Sequence, residues 1–295
     1  MTHPASPPLP VVAVHGVGYH VPRASTDDVR ATQILYWTRH ITDGLGLEPN
    51  RLDLDFAYYA PFLNTGPTTQ GSADPDTLDD PLARELLTAW LKELGAPEPV
   101  AMGTLTSPLR HTAAWVAERF SLDGRLTQLF IRLFFREVAT YLRTDDGPVR
   151  LSAREEVAAR IARHRPRVVI AHSLGTVVTY EALHAHPELQ VELLLTLGSP
   201  LALPHAVFHR LVPRPGGPAD GSQPPFGIRP PGVARWVNIA DPGDPVAIPP
   251  RLARAFTGIA LDLTDSIHAT YGFHHAKNYL SCAATAATLG PYLDL

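Results

Sequence analysis

The chain holds one cysteine, Cys282, in 295 residues. A single thiol builds neither a disulfide framework nor a cysteine-based metal site. Charge is sparse as well: charged residues make up 18% of the chain and the net charge is −4. The basic residues are almost all arginine and are scattered, so the basic face expected of a nucleic-acid-binding protein is missing. No window reaches the roughly 18 uninterrupted apolar residues of a membrane-spanning helix. The opening "MTHPASPPLPVVAVHG" has no basic segment followed by a long apolar run, and so does not read as a secretory signal. A cytoplasmic protein without a membrane span is the expectation.

What is present is apolar material for a sizeable core. Hydrophobic residues make up 45% of the chain, and the length suits one large domain or two ordinary ones. Short apolar runs bounded by turns read as strands buried on both faces, as in a parallel sheet. They occur at Val11–Val14, in "RVVIAHS", in "VELLLTLGSPL" and in "ARWVNIADPGD". "RLDLDFAYY" alternates and predicts another strand over about 51 to 59, and "GIALDLT" predicts the last one.

Helical patterns separate these runs. Ser25 or Thr26 caps the first, with Ile34, Leu35, Trp37, Ile41 and Leu45 as its apolar face and Gly44 and Gly46 at its exit. Residues 77–143 form a helical block. "SAREEVAARIARHR" carries the capping-box pair Ser152 and Glu155. Alternating strands and helices predict an α/β fold with a mainly parallel central sheet flanked by helices. We expect one domain, with residues 62–145 as a helical insertion or cap and 204–232 as a Pro/Gly-rich loop.

The segment "RVVIAHSLGT" carries the chemistry. Ser173 stands between a buried strand and a helix, in a near match to G-x-S-x-G with Ala171 at the first glycine and Gly175 at the second. A sharp strand-to-helix turn pushes a serine hydroxyl out at the top of a sheet, and small neighbours are needed because the turn is crowded. A serine in such a turn also serves as a plain helix cap, so the flanks decide. "VAVHGVG" ends an early strand in glycines. There the backbone N–H of Gly16, Val17 or Gly18, with that of Leu174, would stabilise an oxyanion.

"RWVNIADPGDPVA" offers Asp241 and Asp244 at a strand end. Asp244 is favoured, because Asp241 follows the strand at once and can bond the turn itself. The base candidates are His268, His274 and His275, all after the last strand; His275 is favoured and His274 is second. His15 and His172 adjoin the site but lack that late position. In the helical block, Leu129, Phe130, Leu133, Phe134 and Phe135 either line an acyl-binding channel or pack on the sheet, and packing is favoured. Trp90 and Trp115 read as core.

Together "VVAVHGVG", "VVIAHSLGTVVTYEAL", "LLTLGSPL", "WVNIADPGDPVA" and "HHAKNYL" resemble the α/β-hydrolase superfamily. The likeness is greatest to its lipase-like branch of inositol-deacylase-type and uncharacterised bacterial serine hydrolases. It covers about 10–60 and 150–290, not 62–145, and departs from the pattern at Ala171. It implies an α/β-hydrolase fold, a triad of Ser173, Asp244 and His275, and oxyanion donors Val17 and Leu174. The implied reaction is hydrolysis of a carboxylic ester on a small-molecule or lipid-like acyl substrate, without metal or organic cofactor. Thioesterase, amidase, peptidase and acyltransferase chemistries share this machinery, and a non-catalytic scaffold shares the fold.

Overall fold

The computed structural model describes residues 7–64, 78–97, 109–217, 224–267 and 274–294. Its strands are β1 (Leu9–Val14), β2 (Leu52–Ala57), β3 (Val168–His172), β4 (Val191–Leu197), β5 (Gly227–Ile228), β6 (Val233–Ala240), β7 (Phe256–Thr257) and β8 (Ile259–Thr264). Six of them form the central sheet in the order β2-β1-β3-β4-β6-β8, and the short β5 and β7 pair separately. Every neighbouring pair in the central sheet is parallel. The described helices are α1 (Thr26–Leu45), α2 (Ala60–Leu63), α3 (Pro81–Glu93), α4 (Leu109–Phe120), α5 (Gly124–Leu142), α6 (Pro148–His164), α7 (Leu174–Ala185), α8 (Ala276–Leu280) and α9 (Ala283–Leu289).

The inner strands β1, β3, β4 and β6 are covered on both faces, which is why they read as apolar runs, whereas the edge strand β8 is largely uncovered. Successive side chains of a strand point to opposite faces. Val12, Val14, Val169 and Ala171 pack with residues of α3 to α7. Val11, Ala13, Val168 and Ile170 pack with α1, α8 and α9. The first face is pinned by a buried polar knot. Tyr141 of α5 donates to Glu181 Oε2 of α7 at 2.6 Å, and Arg150 Nε of α6 donates to the same oxygen at 2.9 Å. Such a knot holds three helices in one register because each member would be costly to leave unpaired.

Local signals set several boundaries. Ser25 caps α1 by accepting the Asp28 N–H, and Gly46 ends it in the left-handed conformation at φ 64°. The apolar face expected for α1 is narrower than predicted: Trp37 and Ile41 are buried, but Leu35 is 73% exposed. The start expected at Ser152 is a turn too late. Gly147 is the cap and Pro148 the first residue of α6, because proline's fixed φ and missing N–H suit a first helical position. The C-terminal helix divides in two at Ser281 and Cys282. Within 204–232, residues 208–210 form a 3₁₀ turn, β5 occupies 227–228, and 218–223 lie outside the described residues. Among the described residues no helix is long and apolar enough to cross a membrane.

Candidate active site

The strand order creates a crevice. From β1 the chain crosses to β2 on one side, and it later returns to β3 on the other. In open parallel sheets ligands gather at the carboxyl ends of the strands at such a switch point. Two segments of this chain meet there: residues 15–18, after β1, and Ser173, after β3.

Ser173 has φ 55° and ψ −130°, a conformation that costs a non-glycine residue about 1–3 kcal/mol. Three bonds hold it. Its N–H donates to Leu197 O at 3.0 Å, and the Thr176 N–H and hydroxyl donate to Ser173 O at 2.9 and 2.7 Å. Gly175 is required because a Cβ there would run into the carbonyls of Val14 and His15. A Cβ on Gly16 would stand 2.6 Å from Ser173 Cβ. Ala171, in contrast, lies within β3 opposite Val14 and Thr196, fully buried and without a positive φ. The backbone makes no demand for glycine at that position, so its methyl group is an ordinary strand side chain.

Ser173 Oγ lies 2.7 Å from His274 Nε2, and His274 Nδ1 lies 2.6 Å from Asp244 Oδ2. The network assigns the tautomer: Nδ1–H donates to the carboxylate, and Nε2 accepts from the serine hydroxyl. All three residues are buried. Asp244 is held by two more donors, Tyr279 Oη to Oδ2 at 2.7 Å and Val246 N–H to Oδ1 at 2.8 Å. Asp241 serves the turn and the next loop instead. It accepts the N–H groups of Gly243 at 2.7 Å and Ile267 at 2.8 Å.

The histidine that meets Ser173 is therefore His274, not the favoured His275. His275 is exposed and caps α8 with extended backbone angles, φ −84° and ψ 130°. Neighbouring side chains on extended backbone point opposite ways, so only one of the pair can face the serine. His268 lies outside the described residues. The His172 ring packs at a tilt against His274, with centroids 4.7 Å apart, and neither of its ring nitrogens has a hydrogen-bond partner among the described residues. Burial, then the neighbouring His274, push its pKa well below the usual histidine value.

His15 is also neutral, its pKa lowered to about 3 by burial. Its ring stacks on Tyr59 at 4.1 Å, its Nδ1–H donates to Gly16 O at 2.7 Å, and its Nε2 accepts the Tyr59 N–H at 3.1 Å. Tyr59 Oη donates to His15 O at 2.7 Å. Carbonyl and N–H point in opposite directions across one trans peptide, so the hold on Gly16 O turns the Val17 N–H away from the His15 ring. The Gly18 N–H is already engaged, donating to Glu137 Oε2 of α5 at 3.0 Å. The N–H groups of Val17 and Leu174 have no partner among the described residues.

Of the apolar residues of α5, Phe134 and Phe135 belong to the core. Phe130 stands edge-on to His274 at 5.6 Å between centroids, and Leu133 packs on Gly18, while Leu129 is 55% exposed. Trp90 is buried as expected, and its indole N–H donates to Pro245 O in the acid's turn at 2.6 Å. A cleft of about 650 Å³ lies on α3 between Glu85, Lys92 and His205, but none of Ser173, Asp244 and His274 lines it. Among the described residues no group of three or more His, Cys, Asp or Glu is arranged to hold a metal ion.

Three residues of this site have no role assigned from the sequence. Tyr279 is the tyrosine of the "HHAKNYL" segment. Gly198 ends β4 at φ 55°, where a Cβ would stand 3.1 Å from both Asp244 Oδ2 and His274 Cε1. Glu137 does leave a trace, as a charged residue on the helical stripe of Phe134, Val138 and Tyr141. Comparison with protein-family models, curated proteins and solved structures gave no significant match.

Proposed function

We propose that the protein is a serine hydrolase of α/β-hydrolase fold that cleaves a carboxylic ester through an acyl-enzyme. One observation carries the reading: the continuous relay Ser173–His274–Asp244, with links of 2.7 and 2.6 Å, starting from a strained serine at the sheet's switch point. The chain order Ser, Asp, His is that of α/β-hydrolases. His274 replaces His275 as the base in this proposal.

A serine hydroxyl is a weak nucleophile until a base takes its proton. His274 Nε2 accepts that proton as Ser173 Oγ attacks the ester carbonyl. The imidazolium so formed keeps its Nδ1–H on Asp244, whose charge stabilises it. The carbonyl oxygen becomes an oxyanion and accepts the Val17 and Leu174 N–H groups. Collapse of the tetrahedral adduct passes the Nε2 proton to the leaving alkoxide. Water then adds to the acyl-enzyme with His274 as base and releases the acid. Phe130 and Leu133 put apolar surface beside the reacting groups, which supports an apolar acyl group over a charged one.

A panel of p-nitrophenyl esters of increasing acyl length, with acyl-thioesters alongside, tests the reading. Turnover of esters by the wild type, and none by Ser173→Ala, is expected. No turnover of any ester by the wild type would count against it.

A further inference from the structure

We propose that Glu137 is a positioning residue for the oxyanion loop, which makes helix α5 of the insertion a working part of the acyl-transfer site. The inference rests on the ester-hydrolase reading and adds to it a residue from outside the region of family resemblance.

Glu137 is only 1% exposed and occupies the apolar stripe of α5. A carboxylate in such a place is costly unless it is bonded. Its nearest partner is the Gly18 N–H at 3.0 Å, 119 residues away in sequence. The others are weaker: Asn64 Nδ2 at 3.5 Å, and the guanidinium of Arg136 at 3.9 Å, with an Arg136 side chain 54% exposed. Leu133, one helical turn earlier, meets the same glycine from another side. A Cβ on Gly18 would stand 2.8 Å from Leu133 Cδ2, and its φ of 81° is one that suits glycine. Residues at i and i+4 lie on one helix face, so α5 grips Gly18 with an apolar and a polar contact at once.

The grip matters because of what lies between it and His15. His15 holds the Gly16–Val17 peptide through Gly16 O. Glu137 holds the next peptide, Val17–Gly18, through its N–H. Peptides are planar, so fixing the two planes on either side of Val17 fixes both its dihedrals. The Val17 N–H, the donor assigned to the oxyanion, lies in the plane that His15 holds, and one hydrogen bond leaves that plane free to pivot. Holding the next plane through the Gly18 N–H limits the pivoting, and releasing it restores that freedom. What the loop needs from residue 137 is an acceptor oxygen, not a negative charge; a charge near a developing oxyanion is unhelpful in itself.

The test compares Glu137→Met, which keeps the length and removes the acceptor, with Glu137→Gln, which keeps an acceptor and removes the charge. Rates are expressed per active site, titrated from the p-nitrophenol burst, so that loss of folded protein does not count. For Glu137→Met, kcat should fall about 10- to 100-fold, the scale of a small misplacement of catalytic groups, with KM within about threefold. Glu137→Gln should stay within about threefold of wild type. Hydrogen exchange of a peptide covering residues 14–20 should speed up in Glu137→Met and not in Glu137→Gln. If Glu137→Met does not fold, Glu137→Ala is read the same way. Wild-type kcat and exchange in Glu137→Met, or equal impairment of Glu137→Gln and Glu137→Met, overturns the proposal. An inactive wild type defeats the hydrolase reading and the catalytic half of this one, and the exchange arm still decides whether Glu137 holds the loop.

Discussion

The two sides of Ser173 are built differently. On the proposed acid–base side, groups from two short segments meet directly: the Asp244 carboxylate and the Val246 N–H from one, the His274 and Tyr279 side chains from the other. On the proposed oxyanion side, residues 15–18 are positioned by groups scattered through the fold. These are the His15 ring, Tyr59 after β2, and Leu133 and Glu137 of α5. The first side, the proposed relay, is built of side chains that are chemically recognisable. The second is backbone geometry maintained by packing, and any residue of the right shape and acceptor could maintain it. Substitutions on the first side should therefore change the reaction itself, and those on the second should change its efficiency by smaller factors.

The largest effects separate neighbours on the acid–base side. His274→Ala should lower kcat for an ester by about 10⁴-fold or more, while His275→Ala, which removes an exposed side chain that makes no capping bond, should change it little. Equal losses in both variants would break the assignment. Asp244→Asn should likewise cost orders of magnitude by losing the acceptor that sets the His274 tautomer. Asp241→Asn should lower thermal stability more than kcat, and the reverse result would transfer the acid's role to Asp241.

A middle-sized effect is expected at Tyr279. Tyr279→Phe removes one of three donors to Asp244 and leaves the Asp241 N–H without its acceptor, Tyr279 Oη at 3.1 Å. One hydrogen bond to a charged group corresponds to about a tenfold change, to be read in kcat. An effect as large as that of Asp244→Asn would mean that Tyr279 takes part in proton transfer rather than in positioning.

The smallest effects concern stability against pH. His15 and His172 are held neutral by burial, with pKa values below the ordinary 6.5. The unfolded chain binds more protons than the folded one as pH falls below 6.5, so their contribution to stability is full above that pH and lost below it. For His15 the loss continues down to about pH 3. His15 should remove about 2 kcal/mol of stability between pH 6.5 and 5.0, and His172 acts in the same direction. Glu137 works in the opposite sense, because burial raises its carboxyl above the usual range. His172→Leu should therefore flatten the fall of Tm between pH 7 and 5. An unchanged slope would mean that His172 is charged in the folded protein.

Much of the fold was legible because it rests on local rules. Four buried strands announced themselves as apolar runs, and of the residues expected to bound α1, Ser25 rather than Thr26 is its cap and Gly46 rather than Gly44 its exit. Ser152 and Glu155 misled because a capping-box pattern carries no information about the proline one turn upstream. Leu35 misled because periodicity does not say how wide a face the sheet covers. In the candidate site, the placement of Ser173 and Asp244 at strand ends could be read from the sequence. The choice between His274 and His275 could not, since it depends on which way an extended segment turns as it enters α8. Glu137 was harder still: its partner is 119 residues away, and only its presence on an apolar stripe hinted at a bonded role.

Ser173 is the proposed nucleophile. Treating the wild type and Ser173→Ala with a fluorophosphonate, then locating the adduct by peptide mass mapping, tests this most directly. One adduct on Ser173 in the wild type, absent from the variant, is predicted. A wild type without adduct, or a variant that is still labelled, would contradict it.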